Sequence, residues 1–155
     1  MEQLREVETA KTLMTEAVSW SVMKWLREKK RVRRAADEAN AALDQLGLEL
    51  KQQWPEHMRA AYEALVAQAA GSKAHATSST TVQQVIEPKT LLIVKKVKEA
   101  DDEAYRARMS AEDTFDEAEK KLSTRLAREG CRQAILSWEL KEQAIRKAES
   151  LNRAK

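Results

Sequence analysis

The chain has 155 residues, of which 28 are basic and 25 acidic, and Phe, Trp and Tyr together make up 5% of it. Charges this balanced do not by themselves indicate nucleic-acid binding, and three glycines leave little material for a phosphate-binding loop. Alanine, leucine, glutamate, lysine and arginine are the abundant residues, and because they favour long helices we predict an all-α fold.

The first predicted element is a long helix over residues 2–70. Its helix-breaking residues are Gly47 and Pro55. Proline lacks the backbone donor that a helix interior needs, and its ring clashes with the preceding turn. We therefore expect a bend or a break at residues 46–55.

A linker rich in glycine, serine and threonine follows at residues 71–88. The second predicted helix covers residues 89–152. Pro88 suits its first turn, because that position needs no backbone donor. Residues 1–155 are predicted to form a single helical domain.

Two helices of similar length joined by one linker predict an elongated, coiled-coil-like antiparallel hairpin. If residue 70 faces residue 88, two residues lie at the same height where their numbers sum to about 158. This register places Trp20 beside Trp138. The alternative is a compact three- or four-helix bundle, which results if the chain folds back near Pro55.

Two stretches, AVSWSVMKWL at residues 17–26 and CRQAILSWEL at residues 131–140, are apolar almost all the way round a helix. A two-helix hairpin can bury only the facing stripes of its helices. The remaining apolar surface needs a cover, so we expect two copies of the chain to pair into a four-helix bundle dimer.

The most basic stretch is KWLREKKRVRR at residues 24–34. Helical spacing puts most of its cations on one face, away from Trp25 and Val32. The hairpin register adds three arginines of the second helix at the same height. We call the predicted cluster the basic collar, and it consists of Lys24, Arg27, Lys30, Arg31, Arg34, Arg125, Arg128 and Arg132.

Three interpretations of the basic collar remain open. It is a solvated surface if ion pairs such as Arg33–Asp37 and Arg34–Glu38 neutralise it. Each such pair stabilises the helix by about 0.3–0.5 kcal/mol. It is a docking surface if it binds an acidic protein, or the acidic band that the register predicts around residues 112–119 of another copy. It is a phosphate-binding surface if its target is nucleic acid or an anionic membrane, which the neighbouring acidic band would repel.

No pattern for catalysis or metal binding is found. Di-iron helical bundles need paired Glu-x-x-His, yet Trp54 stands three residues before His57 and Ser72 three residues before His75. The hairpin register places both histidines far from Cys131, which leaves this thiol without a histidine base. We therefore expect no enzyme, cofactor, metal site or small-molecule substrate.

The tryptophans Trp20, Trp25 and Trp138 are predicted either to pack in the core or to anchor a partner. A single cysteine allows no internal disulfide, which fits a reducing, cytoplasmic location. We predict a non-enzymatic interaction or scaffolding protein that acts through charge-banded helical surfaces, with binding of nucleic acid or an anionic membrane as the alternative. The candidate partner-binding residues are the basic collar and these three tryptophans.

Overall fold

The computed structural model describes residues 4–69 and 88–153, and every regular element within these ranges is helical. This confirms the prediction of an all-α helical bundle. The predicted linker lies outside the described residues, except for Pro88, which begins a helix. The helices are α1 (Arg5–Ala17), α2 (Val22–Gln52), α3 (Glu56–Ala69), α4 (Pro88–Lys121) and α5 (Thr124–Arg153).

The interruption between α2 and α3 lies at residues 53–55. Pro55 cannot continue α2, but its carbonyl accepts a hydrogen bond from the backbone N–H of Arg59 and so opens α3. Trp54 is buried at this break, where its Nε1 donates a hydrogen bond to the carbonyl of Ala148 at 3.0 Å. The proline thus ends one helix and begins the next.

A second interruption, at residues 18–21, divides the predicted first helix and was not expected. The Ser21 hydroxyl accepts a hydrogen bond from the backbone N–H of Lys24 at 3.2 Å and caps α2. The preceding helix, α1, is tied to α5 by an ion pair of 2.6 Å between Lys11 and Glu142. The start of the chain is therefore a helix of its own.

The predicted second helix is in fact two helices, because the chain reverses at Leu122 and Ser123. Leu122 has a φ of 49°, and the N–H of Ser123 donates to the carbonyl of Ala118 at 3.1 Å, a helix ending that usually employs glycine. The Ser123 hydroxyl then accepts a hydrogen bond from the N–H of Leu126 at 3.2 Å and caps α5.

The reversal lays α5 antiparallel along α4. Close to the turn, Phe115 packs directly against Gly130. Further from it, Thr114 Oγ1 donates a hydrogen bond to Gln133 Oε1 at 2.7 Å. These pairs are symmetric about residues 122 and 123, as a helical hairpin requires.

The register predicted for the antiparallel pair is wrong. Arg33 forms an ion pair with Asp116 at 3.1 Å, and Asp44 forms one with Arg108 at 3.0 Å. The helices α2 and α4 are therefore antiparallel, but the paired numbers sum to about 150 and not to 158.

Trp138 also does not lie beside Trp20. Its Nε1 donates to Asn40 Oδ1 at 2.9 Å, whereas the Trp20 carbonyl accepts from Arg128 Nη2 at 3.2 Å. Arg128 and Trp138 are separated by about 15 Å of helix. The cause is the reversal at Leu122, which makes α5 run parallel to α2 where an antiparallel arrangement was predicted.

The described residues divide into two compact units. Unit 1 contains the chain up to Gln45 together with Glu103–Glu142, and unit 2 contains Leu46–Asp102 together with the chain from Gln143. The helices α2, α4 and α5 each contribute residues to both units. The single domain therefore stays a prediction.

The core of unit 1 is built around aromatic rings. Trp25 stacks on Phe115, with the ring centroids 5.9 Å apart and the planes at 11°. Trp20 and Trp138 are 6% and 1% exposed. The chain's own helices thus bury the tryptophans of the apolar stretches that predicted a dimer, whereas Met23 in the first stretch is 69% exposed. The dimer stays a prediction.

Unit 2 has a core of its own, in which Trp54 meets Tyr62 edge-on at 5.9 Å. The Tyr62 hydroxyl donates to the carboxylate of Asp101, which also accepts from Lys51 Nζ at 2.8 Å. Burial, and then the nearby charge of Asp101, raise the pKa of Tyr62, so its hydroxyl stays protonated. The buried residues packed with Trp54 are Ala61, Val94, Val97 and Ala148.

No helix within the described ranges is both long and apolar enough to cross a membrane.

Candidate interaction surface

The basic stretch of α2 turns one face to solvent. Trp25, Val32 and Ala36 are buried on the opposite face, so the helical period of 3.6 residues directs most of the intervening cations outward. All five α2 members of the basic collar are exposed, namely Lys24, Arg27, Lys30, Arg31 and Arg34.

Within residues 4–69 and 88–153, few of these exposed cations have a partner. Arg31 contacts Glu28 at 3.4 Å, and the Lys24 ammonium lies 5.2 Å from the centre of the Trp20 ring. Among these five, the side chains of Arg27, Lys30 and Arg34 form no ion pair or hydrogen bond with any described residue.

The predicted pairs Arg33–Asp37 and Arg34–Glu38 do not form between these described residues. Arg33 turns instead to α4, where its Nη2 lies 3.1 Å from the carboxylate of Asp116. The neutralisation that a merely solvated surface would need is therefore missing at Arg34.

The three collar arginines of α5 have different surroundings. Arg128 is half-buried, and it donates from Nη2 to the Trp20 carbonyl while its buried Nε has no partner among the described residues. It therefore holds the start of α2 against α5. Arg132 is exposed and contacts Glu129 at 3.7 Å. Arg125 is exposed and has no ion pair within residues 4–69 and 88–153.

The hydrogen bond between Asn40 and Trp138 relates the heights of α2 and α5, which run in the same direction. Residues of the two helices whose numbers differ by about 98 lie at similar heights. Arg125 is therefore near the height of Arg27. The structure keeps the cations of both helices at one end of unit 1, through a parallel helix pair and not through the predicted antiparallel one.

The predicted acidic band is not separate from the basic stretch. Asp116 lies beside Arg33, while Asp44 and Glu112 both contact Arg108, at 3.0 and 3.4 Å. The register of α2 on α4 is the cause, because it places Asp116 beside Arg33 near the end of the basic stretch. The acidic and basic stretches therefore adjoin at this pair.

An open groove runs between α1 and α2. Its floor includes Leu13 and Ala35, and its α2 wall carries Arg31 and Arg34. The groove also holds three carboxylates, which belong to Glu8, Glu16 and Glu38. Glu8 and Glu16 of α1 therefore face the end of the basic stretch at Arg31 and Arg34.

A cavity of about 210 Å³ lies among α2, α4 and α5 in unit 1. Arg33 and Arg108 line it together with Asp37 and Glu112, beside the ring of Phe115. Arg33 Nη1 is buried and has no partner among the described residues. The space suits water or a small polar molecule, and the balanced charges favour neither an anion nor a cation. No pattern in the sequence predicts this cavity, which exists only in the observed register.

The described residues offer little for nucleophilic catalysis. Burial raises the pKa of Cys131 to about 12, so its thiol stays protonated at neutral pH. His57 is exposed, and His75 lies outside the described residues. Within the described ranges, no group of three or more His, Cys, Asp or Glu side chains is placed to hold a metal ion.

Exposed apolar side chains at one end of unit 1 were missed by the sequence analysis. Met23 is 69% exposed, Leu122 is 62% exposed and Val22 is 43% exposed. Neither glycine nor proline marks the turn at Leu122. Met23 belongs to a stretch that was expected to be buried.

Comparison with protein-family models, with curated proteins and with solved structures gives no match, so function is inferred from the geometry of the chain itself.

Proposed function

We propose that the chain is a non-enzymatic interaction protein that binds an anionic partner through the basic face at one end of unit 1. We call this face the basic surface. Its exposed cations come from the start of α2 and from α5, and they are Lys24, Arg27, Lys30, Arg31, Arg34 and Arg125.

The main support is that most of these cations form no ion pair with any described residue. Arg27, Lys30 and Arg34 form no ion pair with any described residue. Like charges on one face create a positive potential that attracts anions and speeds association with them. A merely solvated helix face would be expected to neutralise more of its charge through neighbours one turn away.

Two carboxylates in the acidic stretch of α4 are engaged in ion pairs. Asp116 is bound by Arg33, and Glu112 is bound by Arg108. A carboxylate that is paired with a guanidinium repels an incoming anion less than a free one. The acidic stretch of α4 is therefore a weaker obstacle to an anionic partner than the sequence implied.

The tryptophans are not part of this proposal. The rings of Trp20, Trp25 and Trp138 are buried in unit 1, with at most 6% of each residue exposed. We therefore expect the cations to make the contact salt-sensitive, because charge attraction between exposed groups is screened over about 8 Å at physiological ionic strength.

The test removes three of the cations that form no ion pair with any described residue. We expect a triple variant with Arg27→Gln, Lys30→Gln and Arg34→Gln to bind polyglutamate about tenfold more weakly than the natural chain at low salt. The measurement is fluorescence anisotropy with a labelled polyglutamate probe at two salt concentrations. The difference between the proteins should shrink at the higher salt concentration.

A control variant carries the same charge change in unit 2. Arg59, Lys95 and Lys96 are exposed and form no ion pair with any described residue. We expect their change to glutamine to leave most of the binding intact. Equal losses in both triple variants would show that net charge governs binding, and they would overturn the proposed surface.

Another copy of the chain is one candidate for the anionic partner, which would form the expected dimer. Its support is the acidic face of α1, where Glu6, Glu8 and Glu16 are exposed. Light scattering coupled to size exclusion should then show a mass that falls from dimer to monomer as salt rises.

We further propose a reducing, cytoplasmic location, which the buried free thiol of Cys131 supports.

A further inference from the structure

We propose that the anionic partner is the surface of a lipid bilayer, and that exposed apolar side chains between the cations enter it. This inference rests on the proposed function, since it assigns a chemistry to the partner of the basic surface. We call the apolar group the tip, and it consists of Val22, Met23 and Leu122.

The tip residues come from two elements that meet at the same end of unit 1. Trp25 near the start of α2 stacks on Phe115 near the end of α4. The two helices are antiparallel, so the chain before Trp25 and the chain after Phe115 extend toward the same end. Met23 and Leu122 both lie in these extensions. The hydrogen bond from Arg128 to the Trp20 carbonyl also joins α5 to this end.

The backbone holds Leu122 outward at the turn. Its φ is 49°, a region that costs little only for glycine, and the side chain is still 62% exposed. The Ser123 N–H bonded to the Ala118 carbonyl fixes this geometry. A leucine that is both strained and exposed contributes little to the stability of the fold. Backbone strain of this kind is concentrated at functional sites such as binding sites.

Cations outnumber anions around the tip. Residues 22–31 and 117–125 contain eight basic and three acidic side chains. Among the acidic ones, Glu28 is paired with Arg31 and Glu117 with Lys121. The exposed cations that form no ion pair with any described residue are Lys24, Arg27, Lys30, Lys120 and Arg125.

A bilayer suits this arrangement better than a folded protein does. A stable protein interface buries about 800 Å² on each partner and needs a complementary pocket for each protruding side chain. Three apolar side chains do not supply that area. A bilayer needs no preformed pocket, and long basic side chains reach the anionic head groups while apolar neighbours enter the boundary of the acyl chains.

The variant Leu122→Gly tests the tip, because glycine suits the backbone of the turn and the fold should persist. We expect the natural chain to sediment with vesicles of phosphatidylserine and phosphatidylcholine but not with vesicles of phosphatidylcholine only. Leu122→Gly combined with Met23→Gln should weaken this binding roughly tenfold or more. The control is Leu136→Gln, which removes a leucine that is 50% exposed on α5 away from the turn, and it should bind like the natural chain.

The cations give a second, independent readout. Each basic residue near an anionic bilayer increases the binding affinity about fivefold. The variant with Arg27→Gln, Lys30→Gln and Arg34→Gln should therefore bind anionic vesicles roughly a hundredfold more weakly than the natural chain. Circular dichroism of each variant checks that the helices are retained.

The outcomes separate the two proposals. Binding to polyglutamate or to double-stranded DNA without binding to anionic vesicles would contradict the bilayer as the partner but would still agree with the basic surface as the binding site. Vesicle binding that survives the change of Leu122 and Met23 would overturn the tip. Failure to bind any of the polyanions or vesicles would overturn both proposals.

Discussion

Leu122 occupies a backbone conformation that disfavours its own side chain. In the left-handed region, at a φ of 49°, a side chain with a Cβ costs about 1 kcal/mol relative to glycine. Because the side chain is 62% exposed, burial offsets little of this cost. The strain is local, so it can be removed without disturbing the packing of α4 on α5.

We predict that Leu122→Gly raises the free energy of unfolding by about 1 kcal/mol. Urea denaturation followed by circular dichroism measures this change. Leu122→Ala is the matched control, because alanine keeps the Cβ and should give little gain. A glycine variant that is less stable than the natural chain would contradict the described turn.

At Gly130, α5 lies close against Phe115 of α4. A Cβ built at this position would lie 2.8 Å from Cδ1 of Phe115, which is 2% exposed and cannot move freely. We predict that Gly130→Ala lowers the free energy of unfolding by about 1–3 kcal/mol, although alanine favours helices. Adding Phe115→Leu should recover part of the loss, since the smaller side chain makes room. A loss that the second change does not reduce would contradict this packing.

Cys131 makes stability depend on pH in the alkaline range. Burial raises its pKa from 9.0 to about 12, so the folded chain holds the thiol proton more tightly than the unfolded chain. This contribution is fully present below pH 9 and is lost as pH rises toward 12. We predict that the natural chain loses stability over this range faster than Cys131→Ala does. Parallel pH profiles of the two proteins would disagree with a buried thiol.

At the scale of single elements, breaks with a steric cause can be predicted and breaks made by side-chain caps cannot. Pro55 interrupts the chain at residues 53–55 because its ring forbids a continuous helix. The reversal at Leu122 has no such marker, because apolar residues continue at helical spacing through it. Ser21 and Ser123 each cap the helix that follows them. The sequence does not distinguish them from serines that cap no helix, because their role depends on hydrogen bonds that only the structure shows.

These caps carry a prediction of their own. Ser21→Ala and Ser123→Ala each remove an acceptor for a backbone N–H in the first turn of a helix. Each should lower the free energy of unfolding by about 1 kcal/mol. Ser150→Ala is the control, because its hydroxyl bonds the Lys147 carbonyl within α5 and caps no helix start. Caps that cost no more than this control would argue against both helix starts.

The cation stripe of α2 could be predicted because it depends only on the helical period of one element. The position of this stripe relative to the other helices could not be predicted. The height of α5 on α2 is set by contacts such as Asn40–Trp138, which no pattern in the sequence indicates. The same holds for the tip, which needs both the break before Val22 and the turn at Leu122. Part of the candidate surface was therefore visible in the sequence, and the apolar part was not.

The arrangement of unit 1 depends on one event, the reversal of the chain at Leu122 and Ser123. It places α5 against both α2 and α4, and it brings the cations and the tip to one end. Met109 on α4 and Leu136 on α5 are 37% and 50% exposed and lie equally far from the turn, so labels on them report the reversal without entering the core.

The most direct measurement is the distance between spin labels on Met109→Cys and Leu136→Cys in a Cys131→Ala background. Adjacent helices in a hairpin have axes about 8–10 Å apart, so we predict a label distance under about 25 Å. A continuous helix between these positions would hold them about 40 Å apart. A distribution centred near the longer distance would contradict the reversal, and with it the tip and the contribution of α5 to the basic surface.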